Sequence, residues 1–243
     1  MFKNHPKGLL AAALSNMGER FGYYIMNAVL LIFLCSKFGL SDETSGVIYA
    51  VFYALIYVLS LVGGYIADRS QNYKGTIMSG LVTMAVGYAL LSIPILATPE
   101  NTGWLLPFTC GALLLIAFGN GLFKGNLQAI VGQMYDDPKY SDKRDSGFQI
   151  FYVFINVGGL IAPFVAPLLR SWWLKVHDMV YNSNLPALCH AYINNGGNLS
   201  AEQMSNLNEL VGVSSTVPVT DLGVFCTEYL DVFNTGIHYS FFA

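Results

Sequence analysis

Two adjacent charges, Glu19 and Arg20, sit inside an apolar run that extends from about Leu9 to Leu34. A run of that length crosses a bilayer as a helix, at roughly 20 residues per span. A charge at the centre of a span costs about 2.5–3.5 kcal/mol on insertion scales. A chain that keeps two of them there offsets the cost with partners, and ionisable groups at such depth mark functional sites. At helical spacing Asn16, Arg20, Tyr24 and Asn27 share one face, with Glu19 and Tyr23 beside them. That polar stripe must face a protein interior or a water-filled cavity.

Composition excludes a soluble globular domain. Of 243 residues, 54% are hydrophobic and 11% charged, against about 25% charged in typical soluble domains. The net charge of −3 gives no basis for a nucleic-acid partner. Four further apolar runs follow, at about Gly46–Ala67, Gly75–Leu96, Trp104–Val131 and Gly147–Leu169, separated by short charged loops. The fourth carries Lys124 towards its far end. With the N-terminus inside, Lys3, Lys7, Arg69, Lys74, Lys139, Lys143 and Arg144 lie on the cytoplasmic side and Lys37, Arg170 and Lys175 outside. That distribution satisfies the positive-inside rule. It also brings Glu19, Arg20 and Lys124 to comparable depth, where they can form one network.

Residues 1–170 are therefore expected to form transmembrane helices 1–5, with 171–231 an external loop or small cap. Within that stretch Ser200-Ala201-Glu202-Gln203 has the spacing of a capping box and predicts a short helix near 200–211. If the loop faces an oxidising side, a Cys189–Cys226 bridge is one outcome. The four histidines are scattered and suggest no metal site. From Val232 the chain turns apolar again for about a dozen residues, half a span, which reads as the start of a sixth helix cut short.

Four stretches carry a family resemblance. Glu19-Arg20-Phe21-x-Tyr23-Tyr24 resembles the first-helix signature of the proton-dependent oligopeptide transporters, a branch of the major facilitator superfamily. Gly63-Gly64-Tyr65-Ile66-Ala67-Asp68-Arg69 is similar to the superfamily's loop between helices two and three. Gly119-Asn120-Gly121-Leu122-Phe123-Lys124 resembles the fourth helix, and Phe151-Tyr152-Val153-Phe154-Ile155-Asn156-Val157-Gly158 the fifth.

The resemblance implies an all-α membrane protein, the N-terminal six-helix bundle of a twelve-helix transporter, multi-pass in the inner or plasma membrane. Its partners would be a di- or tripeptide, the lipid bilayer and a C-terminal half. It implies proton-coupled import by alternating access and no enzymatic activity, with protons as coupling ion and no other cofactor. Glu19, Arg20 and Lys124 match the proton-coupling set. Arg20, Tyr24, Asn27, Tyr57, Lys124, Tyr152 and Asn156 are the expected substrate-binding set, with Asn27 standing where the family often has a further arginine. Asp68 and Arg69 read as a gating latch at a helix end.

The residue chemistry fits. Arginine offers a planar fork to a carboxylate, lysine a movable point charge, glutamate a titratable site, and tyrosine an apolar wall with a polar tip. Asn16 stands where the family pattern has a glutamate, so coupling rests on Glu19 alone or is altered. Asn16 and Asn27 keep open the same fold carrying another small solute, such as an amino acid derivative or an anion. A membrane-embedded enzyme or a channel are the remaining readings, with no nucleophile–base pair and no filter pattern behind them.

Overall fold

The computed structural model describes residues 4–242; Lys3, placed above on the cytoplasmic side, lies outside the described residues. The described chain forms α1 (Gly8–Phe38), α2 (Asp42–Ser70), α3 (Tyr73–Leu91), α4 (Thr102–Gln133), α5 (Arg144–Val176), α6 (Leu185–Asn194), α7 (Ala201–Ser214) and α8 (Leu222–Phe242). A 3-10 turn, Ser141–Lys143, leads into α5. The helices α1 to α5 are long and apolar enough to cross a membrane.

Four helix ends lie away from where the apolar runs put them. α3 stops at Leu91 rather than Leu96, because Pro94 has no N–H for the ladder and pushes Ile93 out of the helical region. α5 outruns its apolar stretch at both ends, from Arg144 to Val176. α8 begins at Leu222, ten residues before the apolar turn at Val232. There the Asp221 carboxylate accepts from the backbone N–H groups of Gly223 and Val224, at 2.8 and 3.0 Å. It satisfies donors that a helix start otherwise leaves orphaned. Glu228 and Asp231, which interrupt the hydropathy, lie on the exposed face of this helix, while Tyr229, Leu230, Val232 and Phe233 are buried. The stretch between α5 and α8 is a folded cap holding α6 and α7. Ser200 and Gln203 form the capping box that starts α7.

The chain packs as two compact units that share the long helices. Of the described residues, the first comprises 4–25, 50–91 and 109–163; the second comprises 26–49, 92–108 and 164–242. The core of the first is built from Leu9, Ala12, Ala13, Ile77, Met84, Phe123, Leu127, Val131, Tyr135 and Phe151, drawn from α1, α3, α4 and α5 and from the turn after α4. Within this unit α2 and α4 approach until their backbones touch. A Cβ at Gly63 would strike the carbonyl group of Gly121 and the Cα of Leu122. One at Gly121 would strike the Leu59 carbonyl. Gly125, one turn further along α4, faces open space.

The second unit gathers around the end of α1. Gly39, with φ +63°, closes the helix through its N–H to the Cys35 carbonyl at 3.0 Å. The Ser36 carbonyl, one of the orphan acceptors of that end, takes two side-chain donors. His190 Nε2 of α6 lies at 2.7 Å and Asn234 Nδ2 of α8 at 3.1 Å. The Ser36 hydroxyl donates to Asn234 Oδ1 at 2.7 Å, and Lys37 Nζ reaches His238 Nε2 at 2.9 Å. Arg170 stacks on Tyr181, 3.8 Å from the ring centroid, so the buried cation at the far end of α5 is held by aromatic faces.

Burial lowers the proton affinity of His190 below its ordinary value, outweighing the opposite pull of the Ser36 carbonyl. The unfolded chain therefore binds the extra proton more readily. The stabilisation is complete above the unfolded value, about 6.5, and is lost as pH falls from there through the lower folded-state value. Thermal unfolding should show a midpoint that holds above about pH 6.5 and falls more steeply below it in the wild type than in His190→Gln. Parallel curves for the two proteins would remove His190 from this account.

The two peripheral spans expose most of their apolar surface. In α2 and α5 only 17% of the most hydropathic stretch is buried, against 50% in α1 and 56% in α4. Leu61, Leu160, Phe164 and Leu168 are each at least 64% exposed. Helices apolar on the outside belong in lipid or against another apolar body.

Candidate functional site

The charges of α1 and α4 come together inside the first unit. Glu19 and Arg20 are neighbours in sequence, and side chains one position apart on a helix diverge. The Arg20 side chain nevertheless wraps back and forms a two-point pair with Glu19, Nε to Oε2 at 2.5 Å and Nη2 to Oε1 at 2.6 Å. Both are almost wholly buried, with side-chain exposures of 9% for Arg20 and 3% for Glu19. The guanidinium also stands 4.8 Å from the Tyr23 ring centroid. A carboxylate so paired accepts charge-assisted bonds that offset its removal from water.

A third member comes from α4. Asn120, 1% exposed, donates its side-chain N–H to Glu19 Oε1, and the same nitrogen lies 4.0 Å from Met84 Sδ. Its Oδ1 is buried without a partner. The amide thus spends its donor on the carboxylate and keeps an acceptor in reserve. Residue-by-residue reading of charges missed Asn120. The available signal was a polar side chain one helical turn before Lys124 in an otherwise apolar helix.

Lys124 does not join the Glu19–Arg20 ion pair. Among the described residues no acidic oxygen lies within 4.0 Å of it. Its ammonium instead stands over the Tyr57 ring of α2, 4.9 Å from the centroid. Tyr57 is half exposed, and its hydroxyl meets that of Tyr53 at 3.2 Å. The single network expected of Glu19, Arg20 and Lys124 is thus divided. One cation is hydrogen-bonded to a carboxylate at two points, and the other lies within the field of that carboxylate but beyond ion-pair distance of it.

The remaining candidates are dispersed. Tyr24 stands half-buried over Gly159 of α5, where a Cβ would press on its ring at 3.0 Å. Gly158, one residue earlier, lets the Met17 carbonyl approach. Tyr152 and Asn156 lie one turn apart on the exposed side of α5. Asn27 belongs to the second unit, where its side-chain carbonyl accepts from the Tyr49 hydroxyl at 2.7 Å. Asp68 and Arg69, read as a latch, do not pair with each other among the described residues. The Asp68 carboxylate accepts from the Tyr73 hydroxyl at 2.5 Å. Asn16, 6% exposed, is buried on the same helix face as Arg20.

Comparison with known proteins agrees with this architecture. A family model described as the POT family matches residues 74–189. The chain is 35% identical over 168 residues to the dipeptide and tripeptide permease B of Aliivibrio fischeri, covering 69% of this chain and 32% of that protein. It is 36% identical over 171 residues to the di-/tripeptide transporter of Lactococcus lactis subsp. cremoris, covering 68% and 32%. Among solved structures it resembles the peptide transporter POT in complex with sulfate, with a TM-score of 0.63 and 29% identity over 89% of this chain and 41% of that one. It also resembles tetrameric PepTSo2, with a TM-score of 0.61 and 26% identity over 97% and 48%. The chain spans about a third of the length of the curated relatives it matches. The helix order and these matches agree: residues 74–189 match the POT family model, and the chain is similar to the N-terminal part of peptide transporters.

Proposed function

We propose that the chain is the N-terminal bundle of a proton-coupled importer of di- and tripeptides. A C-terminal bundle, corresponding to the length its relatives have beyond it, would complete the substrate site. Transport proceeds by alternating access, with the N-terminus in the cytoplasm and no chemical conversion of the solute. The observation that carries this reading is the divided charge cluster, a carboxylate–guanidinium pair beside a lysine that no acid holds.

The geometry supports an order of events. While Glu19 is ionised it occupies two N–H groups of Arg20, so a peptide carboxylate meets Lys124 first. Protonating Glu19 removes one charge of the pair and weakens both bonds. The Arg20 fork is then released towards the peptide carboxylate. Asn120 follows the change: its donor serves the ionised form, and its vacant Oδ1 can accept from the protonated one. Tyr24, Tyr57 and Tyr152 supply walls that tolerate varied side chains, and Asn156 an amide that matches the peptide backbone. Asp68 and Arg69 act at the cytoplasmic end of α2, Asp68 by tying it to α3 through Tyr73.

The test is uptake of labelled dipeptide into liposomes by the intact protein that carries this chain. Uptake should follow an inward proton gradient and be competed by other dipeptides, with free amino acids about tenfold or more weaker, the equivalent of about 1.4 kcal/mol. Equal competition by free amino acids or by unrelated anions would overturn the peptide assignment. It would turn attention to Asn16 and to Asn27, whose side-chain carbonyl is already engaged by Tyr49.

A further inference from the structure

The cap between α5 and α8 and the start of α8 itself each carry a thiol that transport does not use. Cys189 lies on α6 and Cys226 on α8, and both side chains are fully buried at 0% exposure. The two helices pack directly on one another. Both are free thiols, and each acts on the other electrostatically at that contact. A metal would require further ligands, and among the described residues no three His, Cys, Asp or Glu side chains gather. Two cysteines brought together with no third ligand are suited to each other.

We infer that Cys189 and Cys226 are a redox site that closes to a disulfide and staples α6 to α8. The chemistry is thiol–disulfide exchange with a disulfide-bearing oxidant, R–S–S–R. One cysteine thiolate attacks a sulfur of the oxidant, forms a mixed disulfide and expels R–S⁻. The second cysteine, losing its proton, attacks the cysteine sulfur of the mixed disulfide and expels the other R–S⁻. Both expelled thiolates take up the protons the cysteines released. The sum is two Cys–SH plus R–S–S–R giving Cys–S–S–Cys plus two R–SH. The cysteine sulfurs are oxidised and the reagent's sulfurs reduced. The orientation proposed above puts the cap on the external face, where such oxidants persist.

Burial sets when this happens. With both sulfurs at 0% exposure, the reagent reaches them only before α6 docks on α8. Once closed, the bond is shielded from reductant for the same reason. Its place gives it a task. α6 supplies His190, and α8 supplies Asn234 and His238, the side chains that bind Ser36 and Lys37 at the end of α1. Joining the two helices fixes both sides of that grip at once.

The experiment uses the intact protein purified without reductant. Free thiols are blocked in denaturant, and the protein is digested and mapped by mass spectrometry. The expected result is one peptide pair joined through Cys189 and Cys226, two hydrogens lighter than the separate peptides, with Cys35 and Cys110 carrying the blocking group. Reductant added under unfolding conditions before refolding should lower the thermal midpoint by about 5–10 °C. The same treatment should leave the double variant Cys189→Ala/Cys226→Ala unchanged. Blocking groups at both Cys189 and Cys226, even after refolding in oxidised glutathione, would overturn the inference. So would a joined pair that involves Cys35 or Cys110.

Discussion

Replacing Glu19 with glutamine should reduce proton-driven accumulation of dipeptide from about 100-fold to about onefold under a gradient of about two pH units. Such a gradient stores about 2.7 kcal/mol per proton, which a coupled carrier converts into a hundredfold concentration ratio. The glutamine keeps the shape of Glu19 and one acceptor for Arg20, but it cannot ionise. Asn120 makes the substitution tolerable. Turning its amide over would present the partnerless Oδ1 to the new amide donor, so the site stays satisfied. Exchange of labelled for unlabelled dipeptide, which needs no net proton movement, should therefore survive. Accumulation that still follows the gradient in Glu19→Gln would sink the role given to this carboxylate. Loss of exchange together with accumulation would mean that Glu19 holds the fold rather than the proton.

Gly63→Ala is expected to be the most damaging small substitution in the chain, at about 3 kcal/mol or a midpoint loss of about 10 °C. The new methyl group would overlap the Gly121 carbonyl and the Leu122 Cα, which are backbone atoms that no rotamer change can move. α2 and α4 must separate, and between membrane helices close packing replaces the hydrophobic drive that water would supply. The neighbouring glycine is the control. A Cβ at Gly64 meets nothing within 4 Å, so Gly64→Ala should change stability by no more than about 0.5 kcal/mol. Because the contact positions Lys124 through α4, uptake should fall in the first variant and not in the second. Equal melting of the two variants would show that the helices are not in backbone contact there.

Which parts of this molecule were legible beforehand follows from the physics of each signal. Five spans could be read because lipid demands an apolar run of fixed length, a coarse requirement that survives any error in detail. Their ends could not, because a helix end is decided by single groups. Pro94 ends α3 inside an apolar run, and the Asp221 carboxylate starts α8 in a polar stretch. The α7 capping box was legible because it is a local, four-residue device. The site was legible as a set of charges and illegible as a set of bonds. Glu19, Arg20 and Lys124 announce themselves by their cost in lipid. That Arg20 folds back on its neighbour, that Asn120 is the third partner and that Lys124 goes to Tyr57 depends on how α1, α2 and α4 rotate against each other. No spacing within one helix contains that information.

The doubly bonded carbonyl of Ser36 has a consequence for how the protein is made. Its two donors lie 154 and 198 residues further along the chain. At roughly 5–20 residues per second of synthesis, α1 is complete about 10–40 seconds before Asn234 exists. During that interval the end of the first helix must satisfy its acceptor with water or with the insertion machinery. The grip of α6 and α8 is therefore made only after all five spans have been synthesised, and a ribosome that stalls after α5 leaves behind five inserted helices with the first one still unfastened.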